Sequence, residues 1–320
     1  GLSVAAAAAQ FGQKVILFEK GKMGGDCLNY GCVPSKALIA AAKQAHVFRT
    51  SGPYGIAAAE PKVDFKKVRD HIRKVIAAIE PHDSAARFEK LGVKVVPGAA
   101  KFRDAKTLES GGSIFSAKRI VIATGSRPAV PAIPGLETVA YFTNETIFEN
   151  SVLPKHLIII GGGAIGMELA QAHRRLGSAV TVIEAFTPLA KDDPELAAVV
   201  LESLRRDGVK IFAETAIKKI SKAKSGIAIE TARHGKITGS HLLVATGRAA
   251  NVEGLNLEAA GVVYTAKGVT VDKGLRTSQK HIYAIGDVAG GLQFTHVANY
   301  HAGPVIRNTL FRLPVSNRRD

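Results

Sequence analysis

Leu157-Ile158-Ile159-Ile160-Gly161-Gly162-Gly163-Ala164-Ile165-Gly166 is the stretch on which the fold turns. Four consecutive apolar residues, three of them β-branched, read as a strand buried on both faces, the kind found in parallel sheets. The glycines that follow keep a G-x-G-x-x-G spacing. The first permits a tight turn, the second lets the backbone approach a pyrophosphate, and the third lets a helix pack closely on the strand. Alone, this spacing is a weak signal. Here it is framed by a helical run through Met167-Glu168-Leu169, an apolar strand at Val180-Thr181-Val182-Ile183, and Glu184 at that strand's end. Strand, glycine turn, helix, strand and terminal acid make a βαβ dinucleotide unit, with the acid placed for ribose hydroxyls. Ala185-Phe186 follow Glu184 with no arginine pair nearby, so NADH is expected over NADPH.

The frame recurs at the start of the chain. Gly1-Leu2-Ser3-Val4 leads through an alanine-rich helix to Gly12 and to Val15-Ile16-Leu17-Phe18-Glu19, and the acid stands 18 positions after the glycine in both copies. Gly1 thus matches the third glycine of a first fingerprint, and the chain is expected to begin inside that motif. A second echo sets Arg119-Ile120-Val121-Ile122-Ala123-Thr124-Gly125-Ser126 beside Leu242-Leu243-Val244-Ala245-Thr246-Gly247-Arg248, each an apolar strand ending in Ala-Thr-Gly. Pro128, Pro131 and Pro134 fit a connection between domains. Helical spacing from Phe65 to Ile79, interrupted near Pro81, predicts a long helix or a kinked pair over 62–91. Strands are expected near 93–100, 113–115 and 209–212, a helix over 194–207, and hairpin-like alternation over 215–244.

The chain has two cysteines, five positions apart in Gly24-Gly25-Asp26-Cys27-Leu28-Asn29-Tyr30-Gly31-Cys32-Val33-Pro34-Ser35-Lys36. As a structural staple, so short a loop would remove only roughly 2 kcal/mol of unfolded-state entropy, against nearly 5 for a loop of about 100 residues. Zinc wants four ligands at close spacing, and the nearest downstream histidine, His46, lies beyond a predicted helix. Pro34 suits a first helical position, and Ser35 to Gln44 are good helix formers. Cys32 is then expected at the positive end of a helix dipole with Lys36 one turn on, an arrangement that favours a thiolate. A bridge to Cys27 requires an irregular first turn, and strained bridges reduce easily. The pair reads as a redox disulfide.

The string from Gly24 to Lys36 closely resembles the redox-active motif of the class I pyridine nucleotide-disulfide oxidoreductases, which include dihydrolipoamide dehydrogenase, glutathione reductase and mercuric reductase. The resemblance implies an α/β fold of two Rossmann-like, three-layer ββα domains binding FAD and NAD(P). The FAD domain is discontinuous: residues 1–126 are its first part, 127–248 form the NAD-binding domain, and 249–320 are its second part. On the FAD side the resemblance implies Gly1, Glu19 at the adenosine ribose, Gly24, Gly25, Lys36, Ala100, Ala123, Thr124 and Gly125. His281-Ile282-Tyr283-Ala284-Ile285-Gly286-Asp287 resembles the second flavin motif, in which Asp287 takes a hydrogen bond from a ribityl hydroxyl. Phe294, Thr295 and His296 follow in a segment more like the mercuric reductases than glutathione reductase. Gly161, Gly163, Gly166, Glu184 and Gly247 complete the implied cofactor contacts.

Four residues are implied in catalysis. Cys27 exchanges with substrate, Cys32 lies against the flavin as a charge-transfer thiolate, Lys36 sits near the flavin N5, and Glu168 pairs with it to hold a buried lysine charged. Electrons then pass from NADH through FAD to the Cys27–Cys32 disulfide. From there they reach a small disulfide or dithiol, as in dihydrolipoamide dehydrogenase, or a metal ion, as in mercuric reductase. A redox-sensing nucleotide-binding module without turnover is the reading from another class. No resident metal site is expected.

Composition bounds the rest. The chain has 320 residues, 46% apolar and 22% charged, which is ordinary for two or three globular domains. No apolar run is long enough to span a membrane, and the first residues lack a signal-peptide pattern. Two cysteines placed for chemistry fit a reducing cytoplasm. The net charge of +16 is scattered, with no RNA-binding signature and few aromatics, so no nucleic-acid partner is expected. Against the family pattern, the chain ends at Asp320, so the third domain with its dimer interface and His–Glu base is expected to be missing. The full-length protein is expected to be a homodimer through that domain. The chain alone is expected to be catalytically weak or dead, with its flavin pyrophosphate site incomplete and FAD binding left open. His296 and His301 are read as packing or loop residues rather than as replacements for that base.

Overall fold

In the computed structural model, which describes residues 1–224 and 226–317, the run that opens the glycine loop is a central strand of a four-stranded parallel sheet. The last three residues of the expected 249–320 segment lie outside the described residues. The helices are α1 (Leu2–Gln10), α2 (Gly25–Asn29), α3 (Cys32–Thr50), α4 (Phe65–Ile79), α5 (Ala85–Lys90), α6 (Ala164–Arg175), α7 (Pro194–Arg206) and α8 (Thr295–Leu310). Two units form: one from Gly1–Cys27, Ile79–Arg127 and the chain from Arg248 onward, the other from Leu28–Ala78 and Pro128–Gly247.

In the second unit the parallel sheet runs Lys210–Phe212, Ala179–Ile183, His156–Ile160, His241–Val244. Alternation along the central strands divides its two faces. Leu157, Ile159, Val180 and Val182 point toward a helical layer containing Leu38 of α3, Phe65 and Ile72 of α4, Leu169 of α6 and Leu204 of α7. Ile158, Ile160, Leu242 and Val244 point the other way, onto Ile220, Ile227 and Ile229. Those residues belong to an antiparallel sheet of Ile217–Ala223, Gly226–Thr231 and Lys236–Gly239. The expected three-layer ββα arrangement results, because a sheet of continuous β-branched runs must be covered on both faces. Pro194 opens α7 behind Asp193, whose carboxylate accepts from Glu195 N–H at 2.9 Å.

The first unit is assembled from three stretches of chain. Val15–Glu19 pairs in parallel with Val93–Pro97, and Ile120–Ile122 pairs in parallel with Ile282–Ala284. Lys101–Phe102, Thr107–Ser110 and Ser113–Ser116 form an antiparallel sheet. Ile282 and Ala284 pack with Ile120 and Ile122, while Tyr283 and Ile285 face Leu275 and Val305 of α8. The helix expected over 62–91 is a broken one: α4, a short 3-10 turn at Glu80–Asp83 that contains Pro81, then α5 capped by Ser84.

One polar side chain is sealed in the second unit's core. His173 on α6 is 1% exposed, its Nδ1 is 2.9 Å from the carbonyl of Leu169, and its Nε2 is buried without a hydrogen bond. Nδ1 therefore carries the proton, and burial pushes the imidazole down to about 4 from its usual 6.5. In the unfolded chain His173 takes up a proton as pH falls through about 6.5, whereas in the fold it stays neutral until about 4, so acid favours unfolding over that window. Stability is expected to fall by about 2 kcal/mol between pH 7 and pH 5 from this group alone. Urea unfolding of His173→Gln should lose measurably less over the same interval. Equal losses in both proteins would refute the assignment.

Candidate active site

Three glycines of the second unit's loop behave differently. Gly161 has φ +109°, and a Cβ there would lie 2.3 Å from the carbonyl oxygen of Ala245. At Gly166 a Cβ would lie 2.2 Å from the carbonyl oxygen of Gly161, so α6 packs on the loop only without a side chain. Gly163 is the N-cap of α6 with extended backbone, φ −79° and ψ 179°, and a Cβ there would meet nothing within 4 Å. Two glycines are thus required by the chain's own packing. The third opens space at the positive end of a helix, where backbone N–H groups lack intrahelical partners and a pyrophosphate fits.

Glu184 lies beside this cradle. Its carboxylate accepts from Gly162 N–H at 2.5 Å and from Phe186 N–H at 2.8 Å. A carboxylate has about four lone-pair sites, so acceptor capacity remains for ribose hydroxyls. Gly247, with φ +130°, closes the turn after the strand His241–Val244, and its carbonyl accepts from Ala129 N–H at 2.9 Å.

The cysteine segment is two helices rather than one with an irregular first turn. Cys27 is half-buried in α2, the chain breaks at Tyr30-Gly31, and Cys32 is the exposed first residue of α3. Asn144 donates to the Tyr30 carbonyl at 3.2 Å and pins that break. Pro34 is the third helical residue, not the first as expected. Its missing N–H is still one of the initial donors that have no intrahelical acceptor, so the helix tolerates it. Lys36 donates to both carboxylate oxygens of Glu168, at 2.8 and 2.7 Å, joining α3 to α6 two residues beyond Gly166. The expected buried lysine is corrected. The Lys36 and Glu168 side chains are 59% and 43% exposed, because α3 meets the core through Ala37, Leu38, Ala42 and Ala45. An exposed pair adds at most about 1 kcal/mol of stability, so its consequence is placement.

In the first unit, Gly1 caps α1, and a Cβ there would lie 3.2 Å from the Cβ of Ala123. Glu19 ends its strand with Oε1 accepting from Gly21 N–H at 2.8 Å. Gly24 and Gly25 turn into α2 with φ +93° and +66°. Ala100 lies between the strands Val93–Pro97 and Lys101–Phe102. Thr124 donates to the Asn251 carbonyl at 2.7 Å, and Asn251 N–H donates to the Gly125 carbonyl at 3.0 Å. Phe294 caps α8, Thr295 opens it, and His296 stacks on Phe294 at 5.3 Å; all three are exposed.

Sequence reasoning missed the network around Asp287. Ser126 Oγ donates to Asp287 Oδ2 at 2.5 Å. Arg248 donates to Ser126 Oγ at 2.6 Å, stands 3.7 Å from Asp287, and pairs with Asp26 at 3.1 Å. Ser126 and Arg248 are the residues that follow the two Thr-Gly turns, and that correspondence was the available signal. His301 on α8 is buried, and its Nδ1 accepts from Gly286 N–H at 3.1 Å, supporting the same turn. The Asp287 Oδ1 and Glu19 Oε2 atoms make no hydrogen bond to the described residues, which fits acceptors for ligand hydroxyls.

Residues 1–302 match the family described as pyridine nucleotide-disulphide oxidoreductase. A mercuric reductase of Streptomyces lividans is 38% identical over 96% of this chain and 67% of its own length. The dihydrolipoyl dehydrogenase of Bacillus subtilis (strain 168) is 34% identical over 95% of this chain and 68% of its own. Among solved structures, the Cu(II) complex of the HOCl-induced flavoprotein disulfide reductase RclA from Escherichia coli superposes with a TM-score of 0.88 at 29% identity, covering 99% of this chain and 70% of that one. The chain spans between 50% and 68% of the length of the curated relatives it matches.

Proposed function

The chain belongs to the pyridine nucleotide-disulphide oxidoreductase family, and from that premise we propose that it passes electrons from NADH through FAD to Cys27 and Cys32 and on to a small disulfide or a soft metal ion. One observation carries the reading. A single helix holds Cys32 at its start and Lys36 one turn on, and Lys36 is bonded to Glu168 on the helix that opens from the dinucleotide loop.

The family uses FAD and NAD(P)H; when bound, the flavin takes a hydride from the nicotinamide and delivers two electrons to a disulfide. The chain's own residues do the rest. Gly163 and the first turn of α6 receive the NADH pyrophosphate, and Glu184 orients the adenosine ribose and repels a 2′-phosphate. Glu19 and Asp287 receive hydroxyls of FAD, Gly24, Gly25, Ala100, Ala123, Thr124 and Gly125 let its chain approach closely, and Phe294, Thr295 and His296 border it. Lys36, held by Glu168, would stand beside the flavin ring. Cys32 takes up electrons at the start of α3. Cys27 exchanges with the substrate. Residues 1–126 and 249–320 serve FAD, and 127–248 serve NADH.

The likeness to mercuric reductases favours the metal-ion acceptor as a second reading beside a lipoamide-type disulfide. A homodimer of the full-length protein in the cytoplasm belongs to the same proposal; no helix among the described residues is long and apolar enough to cross a membrane. NADH oxidation by the full-length protein with lipoamide, Hg(II) and quinones tests the proposal. Turnover with a disulfide or Hg(II) supports it, and no turnover with any acceptor favours a sensor instead.

Nucleotide choice gives a separate expectation. Glu184→Ala should lower kcat/KM for NADH by roughly 10- to 100-fold, the value of hydrogen bonds to a charged group, while leaving NADPH unchanged or improved. Equal use of both nucleotides by the unaltered protein would overturn the role given to Glu184.

A further inference from the structure

We propose that a cavity in the second unit, at the C-terminal ends of α3, α6 and α7, binds a small phosphate-bearing anion at a site separate from the dinucleotide cradle. The cavity has a volume of about 360 Å³ and is lined by His46, Arg49, Arg174, Arg175, Arg206 and Asp207. It lies at the opposite end of α6 from Gly163, about 18 Å away at 1.5 Å per residue over 12 residues.

The arginines divide by what already holds them. Arg49 is bound to Glu60 and donates to the carbonyl of Arg175 at 2.5 Å. Arg175 donates through Nε to Asp207 at 2.7 Å, and Gln171 binds the same oxygen at 2.8 Å. That grip fixes the Arg175 guanidinium while its two terminal nitrogens make no hydrogen bond to the described residues. Arg174 lies flat against Gly208, where a Cβ would come within 2.9 Å of its Nε. Its one hydrogen bond is a long one, 3.4 Å from Nη1 to the Ser178 carbonyl. Arg206 is exposed and has no carboxylate partner among the described residues. Four guanidinium groups thus face two carboxylates, Glu60 and Asp207. Among the described residues Arg174 forms no salt bridge, although, after the hydrogen bond from Arg49, its charge helps to hold the Glu60 carboxyl below its usual range, and Arg206 has no carboxylate partner.

The plainer account is that basic residues at helix C-termini offset the dipole. Here the carbonyls are already taken. The last four of α6 accept from Leu176, Ser178, Gly177 and Arg49, and those of Ser203, Leu204 and Arg205 on α7 accept from Asp207, Val209 and Gly208. Arg174 and Arg206 are not needed to satisfy those carbonyls. Planar, fixed guanidinium groups match phosphate oxygens in pairs, and the volume lies at the low end of small-ligand sites, about 300–1,000 Å³. A phosphomonoester or pyrophosphate fits the space, and a dinucleotide does not.

The test uses the full-length protein with NAD⁺ at saturation, so that the cradle is filled, and titrates inorganic pyrophosphate by calorimetry. The expected result is saturable, salt-sensitive binding that weakens at least about tenfold in the Arg174→Gln/Arg206→Gln double variant, persists in Arg174→Lys/Arg206→Lys, and leaves NADH affinity unchanged in both. No saturable binding under NAD⁺ would overturn the proposal, as would undiminished affinity in the glutamine variant. Should the double variant unfold early, the exposed Arg206→Gln alone is read by the same criteria.

Discussion

Cys27→Ser is expected to lower NADH-driven reduction of a disulfide or Hg(II) by about 10³-fold or more, a loss of at least about 4 kcal/mol of transition-state stabilisation, while flavin reduction by NADH continues. A serine hydroxyl can neither form a mixed disulfide nor bind a soft metal as a thiolate does, so no substitute chemistry remains. Cys27 sits in a separate short helix from Cys32, and Lys36 is held by Glu168 rather than by that helix. Stopped-flow absorbance separates the two half-reactions. Retained acceptor turnover in Cys27→Ser would end the assignment, whereas loss of both half-reactions would point to damage elsewhere.

The glycine loop gives the second large effect, because two substitutions of the same kind should fail in opposite ways. Gly161→Ala puts a methyl group 2.3 Å from the Ala245 carbonyl oxygen at a φ of +109°, and a cost of about 3 kcal/mol or more is expected. Gly163→Ala meets no atom within 4 Å and keeps an extended backbone, so stability should move by no more than about 1 kcal/mol. The methyl group instead occupies the space where a pyrophosphate would lie, and NADH binding should weaken at least about tenfold. Chemical unfolding and NADH titration of the two variants provide the check. Similar stability losses in both would show that Gly163 is also a packing glycine.

Much of this was legible in the chain because the signals were local. Leu157 to Ile160, the glycine spacing and Glu184 state a βαβ unit within 28 residues, and the structure builds it. Pro81 marked the break between α4 and α5. What escaped depended on long-range geometry. Nothing in the sequence from 28 to 78 says which layer its helices join, and α3 packs on α6 through small residues with no periodic stripe of its own. Arg248 and Asp26 are 222 positions apart, so their pairing leaves no trace in either neighbourhood. The exposure of Lys36 escaped for a related reason: it sits beside Ala37 and Leu38 in sequence but at the margin of their contact.

The interrupted make-up of the first unit bears on how the protein emerges from a ribosome. Ile120 must wait for Ile282, so its strand stays unmatched while 162 more residues are synthesised, roughly 10 to 30 seconds at 5 to 20 residues per second. The second unit's parallel sheet is complete by Val244, well inside that delay. During synthesis, Ile120-Val121-Ile122 is therefore a segment open to a chaperone, and a translational pause just after Val244 would prolong its exposure without helping the sheet already formed.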